Sequence, residues 1–178
     1  MCDGVTMIVR SRSGEDLASC AELVRESHRV DGYPARLPDD VRAFLDAPDA
    51  IAAWVAESAG EIIGHVALHP TSSPAVMSLA CSSTGLAADR FGVVARLVVS
   101  PAARGRGVGS SLLRAAASAS IDRGLHPMLD VHAALEQAIR LYERSGWVRI
   151  GAVKVTFQNG LAIDEFVYLV PDSAHLAW

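Results

Sequence analysis

The sequence predicts an α/β layered domain: a mixed, mostly antiparallel central sheet flanked by helices. Three observations predict it. Short apolar runs alternate with helical-period stretches along the whole chain. The runs IAAWV and EIIGHVALHP, separated by a turn at Ser58-Ala59-Gly60, read as an antiparallel hairpin. GVVARLVVSP, almost wholly apolar, runs at once into a helix and then another strand, which is a crossover connection. A chain of 178 residues is long enough for one real core, so residues 1–178 are expected to form a single domain.

The elements follow in order. MIVR, residues 7–10, reads as a first strand, and Ser13 as the N-cap of a helix carrying Leu17, Cys20, Ala21, Val24 and His28 at helical spacing. DGYPARLPDD is turn-rich, and DDVRAFLDA makes a short second helix that Pro48 interrupts. In EIIGHVALHP, period two places His65 and His69 on one face, away from Ile62, Val66 and Leu68. Residues 70–90 are too long for a simple turn, and PAVMSLACS reads as a short helix within them. The strand GVVARLVVSP is followed by a helix over 106–123, ended by Gly124, with Val108, Leu112, Ala116 and Ala119 on one face. HPMLDVH is the next strand. AALEQAIRLYERSG is the next helix, with Ala134, Ala138, Leu141, Tyr142 and Ser145 on a common side. WVRIGAVKVTF and DEFVYLV close the chain as strands around a turn at Gly160.

Composition narrows the function classes. The net charge of −4 sets the chain against binding a polyanion, so nucleic acid is not an expected partner. Fifteen arginines stand against the single Lys154, a bias that carries no functional weight. Cys2, Cys20 and Cys81 are odd in number and lack metal-type spacing, so neither a disulfide framework nor a metal site is expected. The start, MCDGVTMIVR, has no apolar signal region, and no apolar run is long enough to span a membrane, which suits a cytoplasmic protein.

The stretch PAARGRGVGSSLL, residues 101–113, joins a strand to a helix through three glycines. The first N–H groups of a helix lack intrahelical partners and the helix dipole makes that end positive, so an anion is favoured there. Gly105, Gly107 and Gly109 remove side chains that would block a phosphate, and Arg104, Arg106, Ser110 and Ser111 offer further donors. A dinucleotide fingerprint would need glycine at 110, and a Walker loop would need a lysine; neither is present. Glycines that only let a helix pack on a strand would leave the same pattern.

LVVSPAARGRGVGSSLL resembles the acyl-CoA-binding motif of the GNAT superfamily of N-acyltransferases, R/Q-x-x-G-x-G/A after an apolar strand, with Arg104, Gly107 and Gly109 matching. AIRLYERSGW resembles the second motif of that family, and EIIGHVALHP its third strand, so the resemblance runs from Met7 to Val170. It implies that acetyl-CoA is the co-substrate and that its pyrophosphate is bound by the backbone of Gly105, Arg106, Gly107, Val108 and Gly109. The backbone of Leu97, Val98 and Val99 would pair with the pantetheine arm as an added strand pairs with an edge. Ala138, on the Tyr142 face, is counted with these coenzyme residues.

The chemistry so implied is direct attack of a primary amine on the thioester. It needs an oxyanion donor, a proton for the leaving sulfur and a base for the ammonium. The resemblance gives the first to a backbone N–H near Val98 or Val99 and the second to Tyr142. The base stays open among His69, Asp89, His132 and Glu165, and a water chain would also serve. Arg96, interrupting an apolar strand on the face of Val94 and Val98, could orient an acidic group of the substrate; an ion-paired or snorkelling side chain reads equally well. Where the family often has asparagine, seven residues before the tyrosine, this chain has Leu135. That departure motivates an alternative, a coenzyme A sensor or interaction domain without transfer. Exposed sheet edges make a homodimer a reasonable expectation.

Overall fold

The computed structural model describes residues 6–156 and 160–171. Cys2, and Phe157 at the end of the expected WVRIGAVKVTF strand, lie outside the described residues. The chain falls into two compact units: residues up to Leu68 with Arg96–Ala116, and His69–Ala95 with residues from Ala117 onward.

The first unit begins with strand β1 (Ile8–Ser11), helices α1 (Leu17–Asp31) and α2 (Val41–Leu45), and the hairpin β2 (Ala52–Ser58) and β3 (Glu61–His69). It then takes the second half of β4 (Phe91–Val99) and the first turns of α4 (Val108–Ile121). β1 pairs antiparallel with β2, and β2 with β3, where Val55 faces His65. The Ser100 N–H donates to the Ile63 carbonyl at 2.9 Å just beyond the end of β4. The helical spacing of Cys20, Ala21 and Val24 does what the sequence asks. These residues, with Leu23, pack on Val41 and Leu45 of α2 and on Val55 and Val98 of the sheet. Each such aliphatic side chain contributes about 1.5–3 kcal/mol when fully buried.

Ser13 caps a single 3-10 turn, Gly14–Asp16, that leads into α1, rather than α1 itself. The Asp16 carboxylate accepts the Ser13 N–H at 2.7 Å and its hydroxyl at 3.0 Å, and Arg10 places both terminal nitrogens on its two oxygens at 2.8 Å. Glycine is required at 64 by close approach. A Cβ there would stand 2.7 Å from Leu112 Cδ1, 3.1 Å from Val108 Cγ1 and 3.2 Å from the Val98 carbonyl oxygen.

The second unit holds the first half of β4, α3 (Pro74–Thr84), β5 (His126–His132), α5 (Glu136–Arg144), β6 (Val148–Thr156) and β7 (Ala162–Leu169). β4 runs parallel to β5, and β5 pairs antiparallel with β7, which pairs antiparallel with β6. The strand order is β1-β2-β3-β4-β5-β7-β6, the mixed and mostly antiparallel sheet expected from the sequence. The helix expected in PAVMSLACS is α3, with Pro74 in its first turn and Ser73 as N-cap. Its Val76, Met77 and Ala80 pack on Phe91, Val93, Met128, Val167 and Leu169.

Three further readings shift. α4 spans Val108–Ile121 rather than 106–123, because Gly107 at φ +81° is still in the turn. α5 begins at Glu136, which leaves Ala134 outside its face and Leu135 at the N-cap, with no side-chain cap bond. In β4, Arg96 has φ +56°, so strict alternation from Val94 through Arg96 to Val98 does not hold.

Candidate active site

The glycine stretch follows β4 through Ser100 and a 3-10 turn, Pro101–Ala103. Gly105 and Gly107 have φ of +74° and +81°, and a Cβ at either would meet no atom within 4 Å. The positive φ requires glycine, and the open space leaves room for a ligand against the backbone. The Ser111 N–H donates to the Gly107 carbonyl at 3.0 Å, the first bond of the helix. The N–H groups of Val108, Gly109 and Ser110, ahead of it, therefore have no helical partner and sit at the positive end of α4. Val108 is buried, Gly109, Ser110 and Ser111 are half-buried, and Gly105, Arg106 and Gly107 are exposed. Leu97 and Val99 are half-buried on either side of the buried Val98.

Arg104 is placed differently from the sequence expectation. Its guanidinium forks onto Asp31, Nη1 to Oδ1 at 3.0 Å and Nη2 to Oδ2 at 2.5 Å, and its Nε reaches the Val99 carbonyl at 3.4 Å. The side chain that was expected to supply an anion with donors instead ties the loop to the end of α1, because the Asp31 carboxylate is already there. Arg106 remains exposed in the loop.

In the second unit the register of β5 and β7 gathers acidic groups. His132 stands opposite Glu165 and Asp130 opposite Val167, so period two puts Asp130, His132 and Glu165 on one face. Asp130 and Glu165 are near enough for each to shift the other's ionisation, and the Ser72 hydroxyl donates to Asp130 Oδ1 at 2.7 Å. Burial first, then the neighbouring Asp130 charge and hydrogen bond, push Glu165 up to about 7. Burial likewise raises Asp130, against the Ser72 hydrogen bond that favours its charged form.

The other base candidates stand elsewhere or are engaged. His132 Nδ1 accepts the Ala134 N–H at 2.9 Å. In the neutral ring the proton is then on Nε2, which leaves no ring nitrogen ready to accept another. Asp89 lies exposed in a 3-10 turn just before Phe91, and Phe91 pairs with His126 at the opposite end of β5 from Asp130 and His132. Four to six strand residues intervene, roughly 13–20 Å. His69 is buried at the end of β3.

Tyr142, 8% exposed on α5, has its ring centroid 6.0 Å from that of the fully buried Tyr168, whose hydroxyl donates to Glu143 at 3.1 Å. Ala138 is half-buried one turn earlier on the same helix. Sequence reasoning missed Asp130 and Ser72. The available signal for Asp130 was a carboxylate inside the apolar strand HPMLDVH; for Ser72 there was none.

Among the described residues no three His, Cys, Asp or Glu gather as a metal would need, and no helix is long and apolar enough to cross a membrane. Cys20 is buried and its thiol pushed up to about 11 by that burial, the opposite of a reactive thiolate.

Comparison with known proteins agrees with this geometry. The acetyltransferase (GNAT) family model matches residues 17–147. N-acetyltransferase family 8 member 2 of Rattus norvegicus is 29% identical over 157 residues, which is 86% of this chain and 62% of that protein. The chain thus spans about three fifths of the length of the curated relative it matches. Among solved structures, NAA60 of Arabidopsis thaliana in complex with acetyl-CoA is similar with a TM-score of 0.68 at 20% identity, covering 92% of this chain and 97% of that one. The ribosomal-protein-S18-alanine N-acetyltransferase of Escherichia coli is similar with a TM-score of 0.65 at 14% identity, covering 97% and 99%. The family model covers well over half of the chain, the glycine stretch and the Tyr142 helix included: this chain belongs to the acetyltransferase (GNAT) family.

Proposed function

We propose that this chain, acting as a single domain, transfers an acetyl group from acetyl-CoA to a primary amine. The observation that carries the reading is the open loop at Gly105 and Gly107 ahead of the unpaired N–H groups of α4. It suits a pyrophosphate, whose charge the helix end favours and whose oxygens need donors without side chains in front of them.

The residues divide the chemistry as follows. Glu165, held near neutrality and backed by Asp130, takes a proton from the acceptor's ammonium. The freed nitrogen lone pair forms the C–N bond at the thioester carbonyl carbon. A backbone N–H of β4 near Val98 or Val99 stabilises the oxyanion that develops there. The C–S electron pair leaves with sulfur, which takes the phenolic proton of Tyr142, and the phenolate is reprotonated from water. A thiol of pKa about 8.5 makes little demand on a tyrosine of about 10. The second nitrogen proton goes to solvent.

Cytoplasmic placement and a homodimer through an open sheet edge belong to the same reading. β1 and β6 are the edges, with Ile8 49% and Val148 51% exposed. Calorimetric titration with acetyl-CoA, with NAD as control and Gly107→Glu as the blocked loop, tests the coenzyme half. Tight binding lost in the variant is expected, and no binding by the natural chain would end the proposal. Acetylation of at least one amine in a broad panel tests the transfer half; binding without any turnover would instead favour a coenzyme A sensor.

A further inference from the structure

Three arginines of the first unit are held in ion pairs across the chain. Arg10 holds Asp16 and Glu57, Arg12 holds Asp46, and Arg104 holds Asp31. Arg96 forms no ion pair among the described residues. Its Nη1 is buried without a hydrogen-bond partner, and its guanidinium carbon lies 4.5 Å from the centroid of the Phe44 ring. Such a cation is costly to keep dry, and an aromatic face offsets only part of that cost.

The backbone is arranged to keep it there. Arg96 adopts φ +56°, a conformation that L side chains rarely take. Its carbonyl accepts a hydrogen bond at 3.0 Å from Nδ1 of the fully buried His65. A carbonyl only accepts, so His65 must carry its proton on Nδ1. Burial first, and the Arg12 charge in addition, oppose the guanidinium's charge, while Tyr33 and Asp49 act in the other direction. Arg96 as a whole stays half-buried rather than sealed.

A positive-φ backbone that holds a guanidinium with no ion pair among the described residues against Phe44 of α2 is the arrangement expected of a receptor for an anion. We propose that Arg96, seated on Phe44, binds a carboxylate of the acceptor, so that the substrates are small primary amines carrying a carboxylate group, as amino acids do. The guanidinium fork matches a carboxylate in geometry as well as charge, which a lysine would not. This inference rests on the amine-acetyltransferase reading for its biological sense, though not for its test.

The test separates the two. The full chain, loaded with coenzyme A, is titrated with N-acetylglycine and with N-acetylglycinamide, the smallest product-like pair differing only in the carboxylate. Binding of the acid about tenfold to a hundredfold tighter than the amide is expected. Arg96→Met should abolish that difference, Arg96→Lys should restore part of it, and acetyl-CoA affinity should be unchanged in both. Arg123→Met, exposed in the turn after α4, should keep it. Equal affinity for acid and amide in the natural chain, or none for either, overturns the proposal. If Arg96→Met does not fold, Phe44→Leu, which removes only the ring beneath the guanidinium, should weaken the acid alone, and an equal loss for both probes overturns the proposal. Acid-selective binding in a chain that acetylates no amine would sink the transfer reading and leave the carboxylate site standing.

Discussion

Two buried-side carboxylate sites, one in each unit, show opposite solutions to the same problem. In the first unit Asp16 accepts Ser13 and both terminal nitrogens of Arg10, and the Arg10 hydrogen bonds above all hold its carboxyl well below the usual range. In the second, no cation pairs with Glu165 among the described residues, and burial and the neighbouring Asp130 raise it to about 7. A carboxylate given every partner is fixed in one charge state and serves the fold. One left to share a proton with its neighbour can change state at neutral pH, which is what a proton acceptor must do.

The sharpest way to break this contrast is Glu165→Gln. We expect kcat/KM to fall by about a hundredfold to ten-thousandfold, and the rise of rate with pH centred near 7 to disappear. The same substitution should raise the melting temperature at pH 8. The folded chain holds its proton on Glu165 up to about 7 while the unfolded chain, at the ordinary value of 4.5, has already lost it. Stability from this group is therefore full below about 4.5 and lost as pH rises through 7. A variant as active as the natural chain would remove Glu165 from the mechanism.

Next in size is Tyr142→Phe, expected to lower turnover about tenfold or more while acetyl-CoA affinity changes little; an unchanged turnover would take Tyr142 out of the reaction. Asp16→Ala should cost about 1–3 kcal/mol in urea unfolding, through the lost capping and charge-assisted bonds, and leave the rate alone. Its pH dependence runs opposite to that of Glu165. The folded value lies below the ordinary 3.8, so the contribution is full above about 4 and is lost as pH falls further.

Ser72→Ala removes a hydrogen bond that favours charged Asp130; a more neutral Asp130 pushes Glu165 up less, so the limb of the rate profile should move to lower pH. The smallest effect belongs to the adjacent residue on the other face of β7. Asp164 meets Lys154 at 2.7 Å, both about two thirds exposed, and Lys154→Ala should change stability by about 0.5 kcal/mol or less.

Much of the fold was legible because it is written in periodicity. The α1 face, the β2–β3 hairpin, α3 and the strand–loop–helix at residues 91–121 all follow from apolar spacing and turn residues. The open turn at Gly105 and Gly107 was legible because positive φ selects glycine locally. Asp130 was not, since its meaning depends on β7 lying beside β5 in a register that sets Glu165 diagonally across from it, a relation between residues 35 positions apart. The Arg104 ion pair was hidden for the same reason: its partner Asp31 lies 73 positions away, and nothing local announces it. Arg96 was noticed as an interruption, but whether it was paired could be decided only by placing every carboxylate of its unit.

Two of the glycines fail for different reasons when replaced, and that difference gives a tool. At Gly64 any side chain drives into Leu112, so substitution should be read as loss of soluble protein. At Gly107 the added atoms enter empty space, so a replaced chain should survive, somewhat strained, with its ligand excluded. A saturation library scored once for abundance and once for activity would therefore split these positions, and any residue that behaves like Gly107 rather than Gly64 would trace the outline of the bound coenzyme without a single cocrystal.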